Sequence, residues 1–266
     1  MARSALMNVM IQAVTKAGRG LARDFGEVQN LQVSVKGPGD FVSQADLRAE
    51  QVLRAELERA RPDYGFLMEE GGEVEGRDGQ HRWIIDPLDG TTNFLHGFPH
   101  FAVSLALERQ GQIVAGVVFN PATDELYSAE KGAGAFLNDR RLRVAARRKL
   151  TDCVIGCGIP HLGRGDHGRF LVQLRQVMSD AVGIRRTGAA ALDLAYVAAG
   201  RLDGFWEEAL SPWDMAAGIL LIREAGGFVS DLAGGTDMFG RGDIATGNEH
   251  IHKALLDTVN RPLTKS

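Results

Sequence analysis

Apolar residues recur every three or four positions in "MARSALMNVMIQAVTKAGRG", interrupted by Gln12, Thr15 and Lys16. That spacing predicts an amphipathic helix over about residues 3–23 and argues against an export signal. A second helix is predicted from near Ser43 to about Ala60, with Pro62 as its stop. Between them lies the turn-rich "SVKGPGDFVSQAD", ending in a polar helix start. Short strands are predicted at "YGFLMEE" and "HRWIID". From 101 to 145 short β-type runs are separated by Gln110-Gly111, Asn120-Pro121 and Asn138-Asp139, which predicts an antiparallel meander.

After about residue 150 strands and helices alternate. A strand at "DCVIGCGI" precedes a helix near Arg169–Ser179, and a short strand at "GIRRTG" precedes the helix "AAALDLAYVAAG", stopped by Gly200. Strand "LDGFWEE", helix "SPWDMAAGILLIREAGG", strand "FVSDL", the region around "DIATGN" and a helix over about His250–Asn260 complete the chain. This mixture predicts an α/β (α+β) fold of layered sheets and helices rather than a barrel or a pure Rossmann wrap. A boundary near residue 150 is expected, giving regions 1–150 and 151–266.

Composition narrows this picture only a little. The 266 residues are 44% hydrophobic and 24% charged, with a net charge of −4, as in an ordinary globular chain. No polybasic surface for nucleic acid or membrane is expected, although "RRLRVAARRKL" at 140–150 is a local basic stretch. No apolar run approaches the ~20 residues that span a bilayer. Cys153 and Cys157 have neither zinc-knuckle nor CxxC spacing and are expected to be buried thiols of a cytoplasmic protein.

The chemistry concentrates in "RWIIDPLDGTTNFLHG". Asp86 is expected to end a strand, Pro87 to turn the chain and Asp89 to converge with Asp86. Gly90 permits a close approach of the backbone, and Thr91 or Thr92 can cap a short helix whose first amides suit an anion. Carboxylates for a cation thus sit beside amides for an anion, as a metal-bound phosphate requires. An isolated D-P-x-D is ordinarily a solvated turn. Here Glu69 and Glu70 lie just upstream, and crowded carboxylates repel unless a cation neutralises them. Oxygen-only donors favour Mg²⁺ or Mn²⁺ over zinc. Asp214, in "SPWD", is explained locally as the acid of a capping box with Ser211 and Pro212.

Other signals weigh less. "GRGDHG" at 163–168 formally matches G-x-G-x-x-G, but the following strand is short and basic, so a charged surface loop is expected. Pro99 separates His96 from His100, His250 and His252 are expected at the surface, and Asp193 is expected to serve packing or an interface.

Taken together, "WIIDPLDGTTNF", "WDMAAGILLIREAGG", "DFVSQADLRAE", "FLMEE" and "RRTGAAALDLAYVAAGRLDGFWE" resemble the inositol monophosphatase family in order along nearly the whole chain. The resemblance implies a layered αβαβα sandwich of the sugar-phosphatase type and a lithium-sensitive enzyme with two or three Mg²⁺ per site. It implies Glu69, Asp86 and the Leu88 carbonyl for a first metal, Asp86, Asp89 and Asp214 for a second, and Glu69 through water for a third. Thr91 and Asp46 would orient or deprotonate the attacking water, and the Gly90 and Thr91 amides would hold phosphate. Glu207 and the main chain of Gly188 to Ala190 would meet the inositol hydroxyls, with Asp89 near the leaving oxygen, and Lys36 would lie in a closing loop. The implied reaction is hydrolysis of myo-inositol 1-phosphate by metal-activated water, in a cytoplasmic homodimer. Ala189 stands where relatives often carry Ser or Thr. Fructose-1,6-bisphosphatase, histidinol-phosphate and nucleotide 3′-phosphatase activities therefore stay open. A regulatory alternative, contact with the transcription-antitermination machinery, would use the stretch Arg140–Arg148; direct nucleic-acid binding is not expected.

Overall fold

The computed structural model describes residues 3–27, 33–37, 40–160 and 165–262, with backbone alone for 33–37 and 40–43. Helix α1 (Ala5–Phe25) begins at Ser4, whose hydroxyl accepts from the Met7 N–H at 3.0 Å. Its buried face is the stripe Met7, Met10, Val14, Ala17 and Leu21. It packs beside α2 (Gln44–Ala60). Between them β1 (Val33–Gly37) and β2 (Asp40–Ser43) pair antiparallel. The stretch read as turn-rich thus contributes two strands paired with each other. Lys36 lies in β1, not in a loop, and its side chain lies outside the described residues.

The larger sheet has eight strands, ordered β10-β9-β8-β7-β6-β5-β3-β4. They are β3 (Gly65–Met68), β4 (Gly72–Val74), β5 (His81–Asp89), β6 (Ala102–Arg109), β7 (Gln112–Asn120), β8 (Glu125–Glu130), β9 (Gly134–Leu137) and β10 (Arg140–Arg141). From β6 to β10 it is the expected meander, and β5 extends it by pairing antiparallel with β6. The turn pairs Gln110-Gly111 and Asn138-Asp139 all have positive φ, the conformation of tight hairpin turns. After α3 (Thr91–Leu95), the second sheet begins downstream of residue 150, in the order β12-β11-β13-β15-β14. Its strands are β11 (Val154–Cys157), β12 (Gly183–Arg185), β13 (Gly204–Glu208), β14 (Phe228–Ser230) and β15 (Asp243–Gly247).

Five layers result. Helices α1 and α2 cover one face of the eight-stranded sheet. Helices α5 (Ala190–Ala198) and α6 (Pro212–Glu224) lie between the two sheets and share one apolar core with both. Helices α4 (His167–Asp180) and α8 (Glu249–Val259) cover the outer face of the five-stranded sheet. The αβαβα sandwich is as the resemblance implied. Position in the middle layer explains why every residue from Met215 to Ile222 is buried: a helix between two sheets has no solvent face. Short β4 and α7 (Met238–Arg241) were not anticipated; three or four residues carry too little periodicity. Cys153 and Cys157 are buried and free, as expected.

Close packing in the middle layer sets a test. A Cβ on Gly218 of α6 would lie 2.5 Å from the Leu194 Cβ of α5. Gly218→Ala is expected to destabilise the protein by about 1–3 kcal/mol, read as a lower melting temperature at roughly 2–4 °C per kcal/mol. An unchanged melting temperature would contradict the α5–α6 contact.

Candidate metal and phosphate site

Strands β3 and β5 are parallel neighbours, with Met68 opposite Ile85. Their carboxyl ends emerge together, and the Glu69 N–H donates to the Ile85 carbonyl at 3.2 Å. Glu69 is thus brought beside Asp86 by strand direction alone. Strand β5 does not end at Asp86, as expected from Pro87; it continues to Asp89 through a register shift against β6. Pro87 fits there because an irregularity in the ladder leaves its missing N–H unneeded. Asp86 accepts from the Leu88 N–H at 2.9 Å, which folds its carboxylate back over the irregularity.

Asp86 pairs in register with Ser104, whose hydroxyl donates to the Trp213 carbonyl at 3.2 Å. That bond seats the start of α6 against the sheet. Ser211 precedes α6, its N–H donating to Asp214 Oδ2 at 2.7 Å in the expected capping box. The local role does not exhaust Asp214: carboxylate oxygens of Asp86, Asp89 and Asp214 all lie within 4.8 Å of one another. A second cluster meets the same limit, formed by Asp46 from the first turn of α2 with Glu69 and Glu70. Glu70 is joined to α2 by its own N–H, which donates to the buried Glu50 at 2.9 Å.

Gly90 occupies the capping position of α3 with φ +87°, and no side chain caps that helix. This corrects the expectation for Thr91 and Thr92. Thr91 is the first helical residue, and its hydroxyl donates backwards to the Leu88 carbonyl at 3.0 Å. A Cβ on Gly90 would lie 3.0 Å from the His100 carbonyl and 3.1 Å from Ala189, so both conformation and space require glycine. Asp89 accepts from the Ala191 N–H at 2.8 Å, placing its carboxylate at the amino end of α5. Gly188, Ala190 and Glu207 line the same cleft of about 160 Å³ as Glu69, Asp86 and Asp214. The structure therefore gathers every site residue read from the sequence except Asp46, which joins through its cluster with Glu69 and Glu70.

Burial pushes the Asp86 carboxyl well up, and Glu69, Asp89 and Asp214 add to the effect. Burial pushes Asp89 up to about 7, opposed by the Ala191 amide. Glu207 is raised by burial and by Asp214, Asp193 and Asp89. These acids fit divalent cations: the donors are hard oxygens, and buried like charges this close are unfavourable without a cation. Neither cluster contains histidine or cysteine.

Some residues were not read from the sequence as site residues. Arg186 and Asp193, the second expected to serve packing or an interface, both line the cleft. Asp193 is buried, its carboxyl raised to about 7 by burial while Thr187 and Arg186 oppose the shift. Gly158 makes room for Glu207, since a Cβ there would overlap that carboxylate at 1.8 Å. Gly158 and Glu207 are remote in sequence, so no local signal marked that contact. His252 is half-buried rather than at the surface; its Nε2 lies 2.8 Å from Ser230 Oγ, because its face of α8 packs on β14. Part of "GRGDHG" lies outside the described residues (161–164), and its Asp166 caps α4 by accepting from the Arg169 N–H at 3.0 Å.

The chain matches the inositol monophosphatase family over residues 2–263. It belongs to that family. An inositol-1-monophosphatase of Mesorhizobium japonicum is 72% identical over 264 residues, 99% of each chain. A Nus factor SuhB of Pseudomonas aeruginosa is 44% identical over 265 residues, 98% of each chain. The crystal structure of the extragenic suppressor protein suhB from Bartonella henselae has a TM-score of 0.96 and 64% identity, covering 98% of this chain and 100% of that one. Membership in the inositol monophosphatase family thus rests on the whole chain, as the order of the five matching segments implied.

The raised carboxyls give this family member a pH-dependent need for cations. Asp89 and Asp193 have folded values near 7 against an ordinary aspartate value near 4. The stability they contribute is complete below about pH 4 and is lost as pH rises to about 7. Saturating Mg²⁺ should raise the melting temperature by roughly 5–10 °C at pH 8, and by much less at pH 5. An equal rise at both pH values would contradict this account.

Proposed function

We propose that the protein is a Mg²⁺-dependent phosphoric monoester hydrolase that releases phosphate from myo-inositol 1-phosphate. One observation carries the reading: two carboxylate clusters meet beside a turn opened by Gly90. The 72% identical relative named inositol-1-monophosphatase supports the substrate. In this reading Glu69, Asp86 and the Leu88 carbonyl hold one cation, and Asp86, Asp89 and Asp214 a second. A third is held through water near Glu69, for two or three per site. The chemistry such cations supply is Lewis acidity, which makes water a better nucleophile and offsets charge on phosphoryl and leaving oxygens.

The chain's own residues do the rest. The Gly90 and Thr91 amides hold the phosphate at the start of α3. Thr91 and Asp46 would orient or deprotonate the attacking water, with the Asp46 carboxylate as the final acceptor of the proton. Asp89 lies near the leaving oxygen, and Glu207 with the main chain of Gly188 and Ala190 holds the ring hydroxyls. The leaving alkoxide takes a proton from solvent, and no covalent enzyme intermediate is required.

The proposal includes a cytoplasmic homodimer, sensitive to lithium. Leu171 and Met178 on α4, with Val182 just beyond it, are exposed large apolar residues that a second copy would cover. Buried free thiols suit a reducing compartment. Among the described residues no helix is long and apolar enough to cross a membrane. A second reading, contact with the transcription machinery, rests on the 44% identical relative named as a Nus factor. It would use the stretch 140–148, where Arg140, Arg141, Arg143 and Arg148 are exposed.

A panel of phosphate monoesters, assayed with Mg²⁺ and with chelator, tests the substrate. Inositol 1-phosphate is expected to be the best substrate, and chelation to abolish turnover. Best turnover of a nucleotide 3′-phosphate or fructose 1,6-bisphosphate would overturn the substrate. Absent turnover together with co-purification of RNA polymerase would favour the second reading. Asp86→Asn should lower kcat at least ~10³-fold, because it removes a ligand shared by two cations, while circular dichroism stays that of the parent.

A further inference from the structure

Two turns from different halves of the chain meet in the cleft. One opens α3 at Gly90 and the other opens α5 at Gly188 to Ala190. A neutral side chain joins them. The Asn93 Nδ2 group donates to the His100 carbonyl and to the Thr187 carbonyl, both at 2.8 Å. Both of its hydrogens are therefore used, each on a backbone acceptor.

Each acceptor supports one turn. The His100 carbonyl is the atom that would lie 3.0 Å from a Cβ on Gly90, so it backs the first turn directly. Thr187 immediately precedes Gly188, which has φ +88°, and a Cβ on Gly188 would lie 3.3 Å from the same Asn93 Nδ2. Thr187 is held in turn, its hydroxyl donating to Asp193, whose own N–H donates to the Ala189 carbonyl at 3.0 Å. Asp89 also bridges these turns, accepting from the Ala191 N–H, but it is a carboxylate whose charge is shared with its cluster. Asn93 is neutral and lies outside both carboxylate clusters.

We infer that Asn93 is a positioning residue that sets the distance between the phosphate-holding turn and the alcohol-holding turn. It touches neither reacting group; it acts through two backbone carbonyls. The inference rests on the function proposed above, and it places selectivity for a polyol leaving group partly in a residue remote from the ring. A small misplacement of reacting groups is costly, so losing the clamp should cost rate more than binding.

The test compares Asn93→Ala and Asn93→Asp with the parent enzyme in saturating Mg²⁺. Two substrates are used: inositol 1-phosphate, and p-nitrophenyl phosphate, whose leaving group has no hydroxyls for the second turn. For Asn93→Ala, kcat/KM on inositol 1-phosphate should fall about 10–100-fold, mostly in kcat, and several-fold more than on p-nitrophenyl phosphate. Asn93→Asp should be worse than Asn93→Ala, because a carboxylate would face two carbonyl oxygens. A space-filling role would rank them the other way. Equal losses on both substrates, or the reversed ranking, overturn the inference. Amide hydrogen exchange separates it from the functional reading. In both variants exchange should quicken together at Gly90–Thr92 and Gly188–Ala191, and quickening at one turn alone overturns the clamp. A parent enzyme inactive on both substrates would sink the functional reading, and the exchange result would still decide the clamp.

Discussion

The structure depends on holding Asp86, Asp89 and Asp214 together in a largely buried place. Three carboxylates within reach of one cation repel one another, and burial adds to the penalty on each charge. All three are anchored by backbone N–H groups that favour the charged form. Leu88 donates to Asp86, and Ala191 donates to Asp89 at the amino end of α5. Ser211 donates to Asp214 at the amino end of α6. The two middle-layer helices thus direct their electropositive ends at the acids, which lowers part of the cost. The remainder calls for cations.

The layer order follows from the same requirement. Helices α5 and α6 start at the edge where β5 ends and β6 begins, and between the two sheets they are almost wholly apolar. The Ser104–Trp213 bond and the register of Asp86 with Ser104 fix where α6 begins. Parallel pairing of β3 with β5 fixes where Glu69 emerges. Packing thereby becomes site geometry, and the cleft lies where the two halves of the chain face each other. The Asn93 clamp belongs to this logic, since it ties the two halves at the point where substrate would bridge them.

Much of this was legible in the chain. The meander could be read because its turns use residues suited to positive φ, a local property. The capping box at Ser211 and Asp214 was legible for the same reason. The β1–β2 hairpin, β4 and α7 were not, because short elements owe their existence to what they pack against. Within the site, the DPLDG stretch and Glu69 were legible as hard-cation donors. Gly158 and Asn93 were not, because their contacts join distant segments.

By itself, the sequence determined which residues are apolar at helical or strand spacing, where the turns fall, and that the only concentrated chemistry is oxygen ligation beside a glycine-opened turn. Those are local consequences of side-chain type and backbone freedom. Read locally, it left Asp86 and Asp89 as a solvated turn and Asp214 as a cap. Only the tertiary structure brings their carboxylates within 4.8 Å of one another, by running β3 parallel to β5 and seating α6 on Ser104. Whether a carboxylate is a cap or a ligand depends on which other carboxylates share its space. That proximity is set by strand direction and layer order, which no segment of the chain encodes alone.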